Sequence, residues 1–281
     1  MRFGFNPGLE AHTKREMVFR LRSALQGAHE LGFDVIEISL TERMFELGLR
    51  TVFGGELLDL MQGARQRFHL HLFPLAAPDG RQADPGISNP SPYPRSIQLR
   101  RLTQVVEFFE ASHPMQLYLI HAGWRTAAFE THLRSLRRSL DALDTLYPGV
   151  PLALTNDRPG GVLSQPNDFL ELLEASPNLR FVFNTGLAYH AVDYNAEAYA
   201  WLLRSLARFE ERLAEIQWSN GAPGEGLNRP LHVNLERGLD IHRTIRTIGR
   251  NPAIVHLFGT VGGHVPALAR ERRAVYNSAR L

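Results

Sequence analysis

Short apolar runs recur along the chain at 2–6, 33–40, 68–73, 116–121, 151–156, 179–184, 215–219 and 253–258. Each has the length of a buried strand and is bounded by turn-forming residues. Between them the apolar positions switch to helical spacing. Val18, Leu21, Leu25 and Ala28 form one stripe, and Phe129, Leu133, Leu136, Leu140 and Leu143 form another. Weaker stripes of the same period cover 52–64, 96–111, 167–175, 195–212, 237–249 and 266–276. Eight strands alternating with eight helices predict a closed parallel (β/α)8 TIM barrel, an α/β fold, with residues 1–281 as a single domain. An open doubly wound sheet normally carries fewer strands, and no GxGxxG or GxxxxGK[ST] loop follows any run.

In such a barrel the strand C-termini build the site. Alternation puts His69 and His71 on one face of the third strand, and Leu117, Leu119 and His121 on one face of the fourth. It groups Leu152, Leu154 and Asn156 in the fifth and ends the sixth on Asn184. Gln217 and Ser219 close the seventh strand, and His256 lies near the end of the eighth. Glu37 and Asp157 are the remaining strand-end carboxylates, with Asp157 expected to face the helices. Histidines and amides converging on one mouth point to a ligand site. The Pro- and Gly-rich segment 76–95 follows the third strand and reads as a lid over that mouth or as a plain loop. Polar stretches follow the sixth strand (185–195) and the seventh (220–229).

Composition narrows the chemistry. Hydrophobic residues make up 44% and charged residues 21%, an ordinary globular balance. Without cysteine there is no thiol nucleophile, zinc–thiolate site or iron–sulfur cluster. Lys14 is the one lysine among 31 basic residues, so Schiff-base chemistry is set aside. The net charge of +2 is spread without a basic block, which argues against a nucleic-acid footprint. No apolar run has the ~18 residues of a membrane span, and the first residues do not form a signal peptide, so the expected location is the cytoplasm.

Several segments resemble the xylose-isomerase-like TIM-barrel superfamily of sugar phosphate isomerases and epimerases and endonuclease IV-like repair enzymes. They are AHELGFDVIEI at 28–38, HLFP at 71–74, IHAG at 120–123, NDRPG at 156–160 and NTGLA at 184–188. Their order and spacing run along almost the whole chain. The resemblance implies a divalent metal held by a carboxylate on strand five, an Asp on strand six, a His on strand seven and a Glu on strand eight. The matching positions here carry Asn156, Asn184, Gln217 and His256, with Thr155 as the alternative if strand five slips by one. Neutral amides bind Mg²⁺ and Mn²⁺ weakly and cannot take a proton from carbon. No Mg or Mn site is therefore expected. Zinc remains open through His71, His121, His232 and His256.

Three readings follow. The first is a sugar or sugar-phosphate isomerase/epimerase-like enzyme with an altered or lost metal site, using His121, His232 and His71 as catalytic residues. Its ligand-binding residues would be Asn156, Asn184, Gln217, Arg125, Arg158 and Glu37, and Arg229 could join the two arginines in clamping an anion. The second is a barrel that binds a small polar or anionic, sugar-like molecule without turnover. The third is an endonuclease IV-like enzyme, which His71, His121 and His232 match, while Pro230 and the missing carboxylates oppose it. The HLH at 69–71 resembles the His-x-His of amidohydrolase barrels, but theirs ends strand one.

Overall fold

The computed structural model describes residues 1–9, 13–72, 86–220, 239–259 and 265–280, with the side chains of 265 and 266 excepted. The eight strands are β1 (Arg2–Asn6), β2 (Val35–Leu40), β3 (Arg67–Leu72), β4 (Leu117–Ile120), β5 (Leu152–Thr155), β6 (Arg180–Asn184), β7 (Leu213–Trp218) and β8 (Val255–Gly259). They close in sequence order, and every neighbouring pair is parallel, β8 against β1 included. This is the (β/α)8 barrel that the alternation of elements predicts.

The surrounding helices are α1 (Lys14–Leu31), α2 (Glu42–Glu46), α3 (Leu49–Phe53), α4 (Glu56–Gly63), α5 (Pro92–Ser112), α6 (Phe129–Leu146), α7 (Pro166–Ala175), α8 (Thr185–Ala191), α9 (Ala196–Ala207), α10 (Ile241–Ile248) and α11 (Val265–Arg280). Local chemistry sets the ends of α1. The Thr13 hydroxyl accepts the Glu16 N–H at 3.2 Å, and Gly32 leaves the helix at φ 63°. That left-handed stop turns the chain directly into β2, which explains a Leu-Gly-Phe at this junction.

Three helical expectations need correction. The single stripe over 52–64 belongs to two helices, and a further short helix precedes them. The breaks fall at Gly48 (φ 86°) and Gly55 (φ 64°). The helix read over 195–212 stops at Ala207, and a 3-10 turn follows at Glu210–Arg212. The stretch 185–195 is not plain loop, because Thr185–Ala191 is helical and is capped by the Asn184 side chain. Of the segment 76–95, residues 76–85 lie outside the described residues. The remainder runs as loop only to Ser91, and Pro92 opens α5. Among the described residues no helix is long and apolar enough to cross a membrane.

Most of the core lies between barrel and helices, as expected where both faces of a parallel sheet are covered. Inside the barrel the filling is divided. Leu117, Leu119, Ala153 and Val182 cluster on the β4–β6 side. Opposite them the strand register brings Glu37 beside His69 and Ser39 beside His71. A polar half-interior is costly unless every group is paired, and the pairing found there defines the site.

Candidate active site

A cavity of about 220 Å³ opens at the C-terminal ends of the strands. His71, His121, Thr155, Asn184 and Gln217 line it from the strand ends, with Trp124, Asp157 and Arg158 on the following loops. The volume is below the ~300–1,000 Å³ of drug-sized pockets, which suits a compact polar ligand.

Two imidazoles face each other across this mouth. His71 Nε2 and His121 Nε2 are 2.9 Å apart, and the rings are stacked with centroids 5.1 Å apart. Each ring is backed by a carboxylate. His121 Nδ1 lies 2.9 Å from Asp157 Oδ1, and His71 Nδ1 lies 3.3 Å from Glu37 Oε1. Proton positions follow from this network. With each Nδ1–H assigned to its carboxylate, the Nε2–Nε2 contact is satisfied by one proton between the two rings. Burial pushes His121 below the ordinary histidine value, although Asp157 opposes the shift. That shift favours the neutral ring, whose Nε2 can accept an N–H across the 2.9 Å contact. Burial also pushes the Glu37 carboxyl up, but the His71 ring and the Asn6 amide outweigh it, and the group ends below the usual glutamate value. The pair therefore holds one acid and one base in contact.

The network continues round the mouth. Asn6 Nδ2 donates to Glu37 Oε1 at 2.8 Å, and Gln217 Nε2 donates to Glu37 Oε2 at 2.9 Å. Asn184 Nδ2 reaches Gln217 Oε1 at 3.4 Å, while Asn184 Oδ1 accepts the Leu187 N–H and the Ser219 hydroxyl. Asp157 Oδ2 accepts the Leu163 N–H at 3.1 Å, and Gly161 packs so closely that a Cβ there would come 2.3 Å from Asp157 Cβ. One layer deeper, His69 Nδ1 meets Glu215 Oε2 at 2.5 Å with both side chains enclosed. Burial raises the Glu215 carboxyl despite His69, and nearby Glu37 adds to the rise.

Several residues lie elsewhere than alternation places them. In β5 the inward positions are Ala153, which pairs with Leu119, and Thr155, which lines the cavity. Asn156 instead fastens β5 to β6. Its Nδ2 donates to the Asn184 carbonyl at 3.0 Å, and its Oδ1 accepts the Asn184 N–H at 2.7 Å. Asp157, expected to face the helices, faces the cavity. Arg125 is committed to Asp168, the Val162 carbonyl and the Phe129 ring. His232 and Arg229 lie outside the described residues.

His256 faces outward between strand and helices, away from His71 and His121. It stacks on Trp218 at 5.9 Å, with Phe3 at the same distance, and its Nδ1 accepts the Trp218 Nε1–H at 3.1 Å. Burial lowers its pKa to about 4. A depressed histidine favours the unfolded chain at low pH, so its stabilising effect is present above ~6.5 and fades as pH falls toward 4. Between pH 7 and 5 this group alone should lower stability by about 2 kcal/mol. Urea unfolding of wild type against His256→Asn, which keeps an acceptor for Trp218, should show the variant losing less over that interval. Parallel losses in the two proteins would refute the assignment.

Among the described residues, the positions that the resemblance assigns to metal ligands on strands five to seven carry no carboxylate. The inward strand ends carry Thr155, Asn184 and Gln217, all neutral, and β8 ends on Gly259. Among the described residues no group of three or more His, Asp or Glu side chains could hold a metal. Among the described residues His71 and His121 converge as a pair, and His256 points away from them.

No protein-family model matches the sequence, and no curated protein matches it. Solved structures do match. The chain is similar to a D-tagatose 3-epimerase-like protein at TM-score 0.67 and 15% identity, covering 100% of this chain and 97% of that one. It is similar to SacUVDE at TM-score 0.67 and 15% identity over 100% of both chains. Escherichia coli 3-keto-D-glucoside 4-epimerase matches at TM-score 0.66 and 12% identity, covering 97% of this chain and 99% of that one. The fold is thus the (β/α)8 barrel that these proteins share over their whole length. Identities this low carry the fold and leave the chemistry to be argued from the site.

Proposed function

We propose that the protein is an isomerase- or epimerase-like enzyme for a small sugar-like carbonyl compound, with His71 and His121 transferring protons where related barrels use carboxylates and a metal. The observation that carries this reading is the 2.9 Å Nε2–Nε2 contact between two rings that are each backed by a carboxylate. Proton transfer beside a carbonyl needs a base for the C–H and an acid for the oxygen, and this pair holds both. His121 Nε2 would take the proton from carbon, and His71 would donate its Nε2 proton to the carbonyl oxygen, giving an enediol. Return of a proton to the other carbon, or to the other face, completes isomerisation or epimerisation. Thr155, Asn184 and Gln217 offer hydroxyl and amide groups to sugar hydroxyls.

The test is a panel of aldoses and ketoses incubated in D₂O, with deuterium at the carbon next to the carbonyl read by mass spectrometry. Enzyme-dependent incorporation that vanishes in His71→Ala is the expected result. The neutral lining also favours a second reading, a barrel that binds such a ligand without turning it over. Saturable binding by a panel member with no incorporation would select that reading and reject the first.

A further inference from the structure

The cavity lining has an uneven charge. Among the described residues, the Asp157 carboxylate at the cavity wall is engaged by His121 and the Leu163 N–H, and the Glu37 carboxylate behind it by Asn6, His71 and Gln217. Among the described residues that line the cavity, Arg158 carries the one guanidinium, beside imidazole, amide and hydroxyl groups and the engaged Asp157 carboxylate. Arg158 is exposed, and its guanidinium lies 4.6 Å over the Trp124 ring. Among the described residues it makes no salt bridge, whereas Arg125, the other cation on these loops, is bound to Asp168.

The backbone fixes this arrangement. Trp124 forms an antiparallel bridge with Gly161, the Arg125 N–H donates to the Gly160 carbonyl at 2.9 Å, and the Val162 N–H donates to the Gly123 carbonyl at 2.8 Å. The loops after β4 and β5 are thus zipped together. The indole covers one face of the guanidinium and leaves its N–H edge for a planar or tetrahedral anion. Arg158 lines the same cavity as His71 and His121, which puts the cation in the same mouth as the reacting groups.

We infer that Arg158, on its Trp124 platform, is an anion subsite, and that the substrate of this barrel carries a carboxylate or phosphate beside its sugar-like part. The inference deepens the function proposed above and rests on it for the identity of the sugar-like part.

The test is calorimetric titration at low ionic strength with inorganic phosphate, D-gluconate and uncharged xylitol. Wild type should bind at least one anion saturably at one site and at least tenfold tighter than xylitol. Arg158→Gln should weaken that anion by ~10- to 100-fold, and Arg158→Lys should recover part of the loss. Tight binding of phosphate assigns a phosphorylated substrate, and tight binding of gluconate a sugar acid. Equal affinity for all three probes, no saturable anion binding, or full anion affinity in Arg158→Gln would overturn the subsite. Deuterium incorporation into neutral sugars that ignores Arg158→Gln would also overturn it, with the catalytic reading intact. Anion binding lost in Arg158→Gln, with no incorporation by wild type into any sugar or sugar acid, would keep the subsite and reject the catalysis.

Discussion

Replacing His121 with alanine is expected to cut deuterium incorporation by roughly 10²- to 10⁴-fold, the range for loss of a general base. His121→Gln should do no better, because an amide accepts no proton from carbon. Asp157→Asn should fall at least tenfold, since the Asp157 Oδ1 contact at 2.9 Å fixes the ring with Nε2 facing the cavity. The pH profile carries the same signature. His121 must be neutral to act, and burial holds its pKa below the ordinary histidine value. The rising limb of the rate should therefore lie at an apparent value below ~6.5, with a falling limb at higher pH where the acid's proton is lost. A His121→Ala rate within a fewfold of wild type would remove this residue from the mechanism.

The largest expected loss of stability comes from His69→Ala. It leaves the Glu215 carboxylate enclosed without its closest partner, while Oε1 already lacks one and the Gln217 amide is the neutral group left to it. Breaking a buried pair from one side costs about 3–5 kcal/mol. Glu215 can escape part of that cost by staying protonated, and burial already raises its pKa. A raised folded-state pKa means the stability held below the unfolded value of ~4.5 is lost as pH rises, so the variant should be weaker at pH 8 than at pH 5. His69→Leu combined with Glu215→Leu should recover most of the loss, since an apolar pair of similar volume is often neutral or stabilising. Urea unfolding of wild type, single and double variants at the two pH values measures all of this. A single variant within ~1 kcal/mol of wild type would contradict the buried pairing.

The barrel is legible because its periodicity alternates eight times, and β3 is legible in phase because His69 and His71 alternate with Phe68 and Leu70. β5 and β8 are not. Both faces of a parallel barrel strand are apolar, so Leu152 and Leu154 carry no sign of which side they take. They pack toward the helices, Ala153 and Thr155 take the interior, and β5 ends before Asn156. The same ambiguity puts His256 beside Trp218 instead of in the mouth. Glu37 and Asp157 stand out in the sequence as leftover carboxylates, but their pairing with His71 and His121 spans 34 and 36 residues and exists only once neighbouring strands align. His69 with Glu215, 146 residues apart, has no local signal.

The rate of deuterium incorporation into the best substrate, before and after exhaustive treatment with a chelator, tests the central assignment most directly. An unchanged rate is expected, because the inward strand ends present Thr155, Asn184 and Gln217 where a divalent ion would need carboxylates. A rate abolished by the chelator and restored by Zn²⁺ or Mn²⁺ would contradict proton transfer by His71 and His121 alone.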